Sequence, residues 1–118
     1  MTTIIESARY RLSQRGIKEV TIVGGNIREA ARQELEKALQ VRVIWCATNE
    51  RSIKANEATA AVKKTDLALL LLRWMRHAHF YAALEVGRST SVPVLSLKSG
   101  YGVNTVAQCI LDQLPLVG

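Results

Sequence analysis

Asp66-Leu67-Ala68-Leu69-Leu70-Leu71-Leu72 is the stretch on which the fold turns. After Asp66 it is apolar throughout, without the every-second-residue alternation of a strand that keeps one wet face. It is also far too short to cross a bilayer. A run of this kind suits a strand covered on both faces, as the inner strands of a parallel sheet are. Arg73, Trp74, Arg76, His77 and His79 follow at once, before the apolar-periodic pattern resumes at Phe80. In an open parallel sheet, ligands settle beyond the carboxyl ends of the strands, where the strand order reverses. The arginine- and histidine-bearing loop is therefore the first place to look for function.

Upstream of this run, Glu19-Val20-Thr21-Ile22-Val23 reads as a strand ending in Gly24-Gly25-Asn26. A helix follows, with Ile27, Ala31, Leu35, Ala38 and Leu39 forming its apolar stripe. Asn26 with Glu29 three positions later predicts a capping-box start. Residues 41–46 are a second strand rich in β-formers. Residues 47–50 then make a loop and residues 51–64 a helix on Ile53, Ala58, Ala61 and Val62. Downstream, a helix from about 77 to 88 leads to a strand at 93–97, with Pro93 at the tolerated first position. A turn at 99–102 and a helix from 103 to about 114, stopped by Pro115, complete the chain. Residues 3–15 form one more helix, on Ile4, Ile5, Ala8 and Leu12, which Gly16 ends. This first helix lies outside the repeating units and is read either as a cap on a sheet edge or as a dimer contact.

Strands alternating with helices need right-handed crossovers and a mostly parallel sheet. The expectation is a single α/β domain over residues 1–118: an extra N-terminal helix at 1–16, then a βα core at 18–116. The core is a three-layer, four-stranded parallel sheet in the order 2-1-3-4. The reversal then lies between the first and third strands. The Gly24 turn and the loop at 73–79 would flank one crevice, with the Ser99-Gly100-Tyr101-Gly102 turn beside it and Asn49 and Arg51 on the other side.

The residue types at that edge suggest an anion. Gly24, Gly25 and Asn26 let backbone approach a ligand at the positive end of a helix, and Arg28 adds charge in the first turn. The same glycines also suit a tight strand-to-helix turn that binds nothing. The dinucleotide fingerprint is broken, since Arg28 and Glu29 occupy the region of its third glycine, and no Gly-Lys-Ser/Thr follows. Arg73 and Arg76 can grip a phosphate or carboxylate through paired N–H donors. His77 and His79, near a helix start that disfavours imidazolium, are expected to be neutral and are the only candidate bases. Trp74 offers a stacking face or simple packing. Ser99 and Tyr101 offer hydroxyls beside flexible backbone. Glu50 is the only carboxylate expected on this edge, which argues against magnesium-dependent phosphoryl transfer. His-x-His without companions is not a zinc set. No metal and no cofactor is expected.

With 118 residues, 48% hydrophobic and 22% charged, the chain has an ordinary globular composition. The net charge of +6 and pI near 9.8 favour anionic partners: a nucleotide, another phosphorylated small molecule, or nucleic acid. Cys46 and Cys109 stand alone, as reduced thiols of a cytoplasmic protein do. Neither a secretory leader nor a membrane span is read, and no membrane partner is expected. A sheet this small leaves edges to cover, which favours a homo-oligomer.

Several of these motifs together resemble a small bacterial family known as domain of unknown function 2325. The matching residues are Val23-Gly24-Gly25, Asp66-Leu67, His77 leading into Ala78-His79-Phe80, and Pro93-Val94 with the glycine-containing turn after it. The resemblance covers roughly the last hundred residues. It departs at Arg76, where the family often carries serine. It implies a Rossmann-like, flavodoxin-like domain and no particular activity.

Three functions are in view. The first is a non-catalytic module that binds a nucleotide or other phosphorylated ligand and passes that signal to a partner. The second is a metal-independent phosphodiesterase or RNA-cleaving enzyme with His77 or His79 as base and Arg73 and Arg76 holding charge. The third is a nucleic-acid-binding protein of little sequence preference, whose affinity would fall steeply with salt.

Overall fold

The computed structural model describes residues 3–25, 28–46, 65–74, 77–98 and 100–115. The helix expected at 51–64, and Asn26, Asn49, Arg51, Arg76 and Ser99, lie outside the described residues. In chain order the elements are α1 (Ile4–Gln14), β1 (Glu19–Val23), α2 (Glu29–Leu39), β2 (Arg42–Cys46) and β3 (Leu67–Leu71). A single 3-10 turn (Leu72–Trp74) follows, then α3 (His77–Thr90), β4 (Val94–Leu97) and α4 (Val103–Gln113). The four strands form one parallel sheet in the order β2-β1-β3-β4, the order the sequence pattern predicts.

Every residue of β3 from Leu67 to Leu71 is buried, and the two faces divide its side chains. Leu67, Leu69 and Leu71 join Val20, Ile22, Val43 and Trp45 in the larger core cluster, closed by Ala8 and Leu12 of α1, Leu35 and Leu39 of α2, and Val106 and Ile110 of α4. Ala68 and Leu70 join Val23 and Ala83 in a smaller cluster, against which Val86 of α3 and Val94 pack. Helices therefore cover both faces, and an uninterrupted leucine run is what such a position requires.

The first helix packs into the main core with α2 and α4. Ala8 and Leu12 are fully buried, and three arginines tie α1 to the ends of its neighbours. Arg9 donates from Nε and Nη2 to the Ala38 carbonyl at 3.2 and 3.0 Å. Arg11 donates from Nη1 to the carbonyls of Leu111 and Leu114, both at 2.9 Å. Arg15 donates to the Pro115 carbonyl at 3.2 Å. These carbonyls lie at the carboxyl ends of α2 and α4, where a helix leaves acceptors unpaired and its dipole favours a cation. Part of the chain's positive charge is thus engaged inside the fold. Helix α1 closes with Gly16 at φ 69°. There Ile17 N–H donates to the Leu12 carbonyl and Gly16 N–H to that of Ser13, the paired bonds of a glycine-terminated helix.

Both edge strands are answered by side chains. On β2, the Val43 N–H donates to Glu36 Oε2 at 2.8 Å, and its carbonyl accepts from Arg32 at 3.1 Å. On β4, Ser96 N–H donates to Gln113 Oε1 at 3.0 Å, and its carbonyl accepts from Gln113 Nε2 at 2.8 Å.

Two boundaries differ from the sequence reading. Arg28, in extended conformation and without a side-chain cap bond, precedes the first turn of α2, so the capping box expected from Asn26 and Glu29 does not set the helix start. Glu29 instead accepts from Arg32 and Gln33, and the Arg32 guanidinium holds its carboxyl below the usual carboxylate range. Asp66 precedes the strand, and its Oδ2 accepts the N–H groups of Lys18 and Glu19 at 3.0 and 3.1 Å. It joins β3 to the start of β1. Among the described residues no helix is long and apolar enough to cross a membrane.

Candidate functional site

Because the sheet is parallel and β1 lies beside β3, with Val23 opposite Leu70, the segments that follow the two strands leave the same edge. Gly24 and Gly25 follow β1. Arg73, exposed, and Trp74 lie in the 3-10 turn after β3. His77 opens α3, and His79 follows in its first turn. Arg28, exposed, sits at the start of α2 on this edge, and Tyr101 lies in the connection from β4 to α4. The topology thus brings Gly24, Gly25, Arg28, Arg73, Trp74, His77, His79 and Tyr101 to one edge, at the point of strand-order reversal.

The glycine turn is built as much by the sheet as for a ligand. Gly24 has φ 134° and Gly25 φ 64°, positive values that favour glycine, most strongly at Gly24. Gly24 N–H donates to the Cys46 carbonyl at 3.0 Å, and the Gly24 carbonyl accepts from the Trp45 indole at 2.9 Å. Both backbone groups of Gly24 are engaged within the protein.

Trp45 is the residue the sequence reading did not single out. Its ring is 6% exposed, and a buried indole N–H needs an acceptor. It finds one in Gly24, and the ring packs edge-to-face with Tyr101, with centroids 5.2 Å apart and planes at 74°. Tyr101 enters from the connection after β4, at the far edge of the sheet from β2. The contact therefore carries that connection across the carboxyl ends of the inner strands. One indole thus touches both the Gly24 turn and Tyr101.

The two cysteines differ. Cys46 is half-buried at the end of β2, and Cys109 is buried in α4. Cys109 Sγ lies 3.6 Å from the Ser96 carbonyl, and the Gln113 amide donates to it at 3.4 Å. Burial, with Asp112 nearby as the smaller cause, pushes its thiol up to about 11. It is a neutral thiol at physiological pH and no ready nucleophile. The unfolded thiol loses its proton near pH 9, below the folded value. The stabilisation is therefore complete below about pH 9 and lost as pH rises toward 11. We expect the wild type to lose about 1 kcal/mol more than Cys109→Ala across this window, after allowance for solvent screening. Urea midpoints measured at pH 8 and pH 10.5 check it; parallel losses in the two proteins refute it.

Among the described residues, no three His, Cys, Asp or Glu side chains come together as a metal would require. No protein-family model, curated protein or solved structure matches the chain.

Proposed function

We propose that this chain is a non-catalytic module that binds a nucleotide or another phosphorylated small molecule at the carboxyl edge of its sheet. In this reading it relays occupancy to a partner. The observation that supports it is the exit of the Gly24-Gly25 turn and the Arg73 turn from adjacent parallel strands at the strand-order reversal, with Tyr101 drawn to the same edge. Open α/β sheets take ligands at this position. The backbone at Gly25 leads into the positive end of α2, and Arg28 and Arg73 supply charge for a phosphate. The short-motif resemblance to domain of unknown function 2325 is compatible with this reading and rests on those motif residues alone.

Calorimetric titration against a panel of nucleoside mono-, di- and triphosphates tests it. Binding is expected with at least one, weakened about tenfold or more by Arg73→Ala and again by Arg76→Ala, since one charge-assisted bond is worth about 1.5–3 kcal/mol. Binding that ignores both substitutions removes the site.

A further inference from the structure

The aromatic pair at the carboxyl edge bears on which phosphorylated molecule that edge would take. Trp45 stands between two parts of the edge. Its indole N–H donates to the Gly24 carbonyl at 2.9 Å, and its ring packs against Tyr101 at a centroid separation of 5.2 Å. Tyr101 is therefore held about one indole's width from the glycine turn. In a nucleotide, the base and the first phosphate are separated by a ribose, a spacer of similar width.

The two rings differ in what they offer a ligand. Trp45 is only 6% exposed and has no face to give. Tyr101 packs against the main core cluster but is only half-buried. In an edge-to-face pair with planes at 74°, one ring covers at most one face of the other, so Trp45 leaves at least one face of Tyr101 uncovered. A ring already held by a buried neighbour has little rotamer freedom left to lose when a ligand arrives. Such a ring beside a candidate phosphate turn suits a flat π-system, and a sugar phosphate has none to lay against it.

Resting on the phosphate reading of this edge, we infer that the ligand is a nucleotide and that Tyr101 recognises its base by stacking. The base lies against Tyr101, and the phosphate lies toward Arg28 and the start of α2.

Calorimetric titration of the full chain with adenosine 5′-monophosphate and with ribose 5-phosphate tests the assignment, since the two probes share the ribose and the phosphate and differ in the base. The nucleotide is expected to bind about tenfold or more tightly. Tyr101→Leu should abolish that margin and leave ribose 5-phosphate unchanged, whereas Tyr101→Phe, which keeps the ring, should keep it. The margin is taken within each protein, so a general loosening of the edge, which weakens both probes, is not mistaken for lost stacking. In the unsubstituted chain, the Trp45 indole N–H signal, assigned by its loss in Trp45→Phe, should shift further with the nucleotide than with ribose 5-phosphate. Equal affinity of the wild type for the two probes, a margin that survives Tyr101→Leu, a margin lost equally in Tyr101→Phe, or an indole signal indifferent to the nucleotide overturns the role of Tyr101 and leaves the phosphate reading standing. Binding of neither probe at millimolar concentration overturns both.

Discussion

A chain lacking residues 1–15 is expected to lose its cooperative unfolding transition altogether. Helix α1 contributes Ala8 and Leu12 to the main core, and truncating a single buried leucine to alanine costs about 2–5 kcal/mol. It also takes away the donors for the terminal carbonyls of α2 and α4. A domain of this size holds about 5–15 kcal/mol in total, so these losses exhaust most of it. Arg11→Ala isolates the polar part. Two carbonyls lose their donor, while the buried Arg11 Nε, which has no acceptor, ceases to be a cost. The net loss is expected near 2 kcal/mol. Urea denaturation followed by circular dichroism measures both. A truncated chain that still unfolds cooperatively, within about 1 kcal/mol of the intact one, would make α1 an appendage.

Gly87→Ala is the second large effect, and its sign is informative. Alanine is the better helix former by about 1 kcal/mol, so an open site in α3 would be stabilised by the change. Here a Cβ at Gly87 would lie 2.3 Å from Val94 Cγ2 and 3.1 Å from the Val92 carbonyl. A β-branched side chain has little rotamer freedom to yield, and such overpacking costs about 1–3 kcal/mol. Destabilisation by about 1–2 kcal/mol is therefore expected once the helix preference is subtracted. In a Val94→Ala background the methyl is gone, and the same Gly87→Ala change should cost nearly nothing. Thermal or urea denaturation of the four proteins of this cycle gives the coupling. Equal effects of Gly87→Ala in both backgrounds would mean that α3 does not approach β4 as described.

The architecture was legible because burial on both faces leaves a local trace. Leu67 to Leu71 is unbroken by polar residues, and the helices between strands show one apolar stripe each. Arg11 shows the opposite case. Its partners lie a hundred residues away in α4, and an arginine on a helix reads from sequence as a solvated charge. The same blindness hid Trp45, which reads as one more β-former in residues 41–46. Only the need of its buried indole for an acceptor, found at Gly24, marks it as the piece that orders the candidate site. The start of α2 was misplaced because Asn26 and Glu29 have capping chemistry, yet Glu29 is drawn to Arg32 one turn on. The edge that gathers the candidate residues followed from topology alone. Which of their side chains converge depends on contacts between distant segments, which no spacing rule encodes.

The bonds that Glu36, Arg32 and Gln113 make to Val43 and Ser96 bear on how large this sheet can grow. A bare border strand is a template on which a foreign segment can register and extend the ladder. Here the outward backbone groups of Val43 and Ser96 are engaged by side chains of the chain's own helices, so a fifth strand from another molecule must displace a side chain at each of these positions. At Val43 and Ser96 the ladder cannot be continued without breaking bonds that the chain makes to itself.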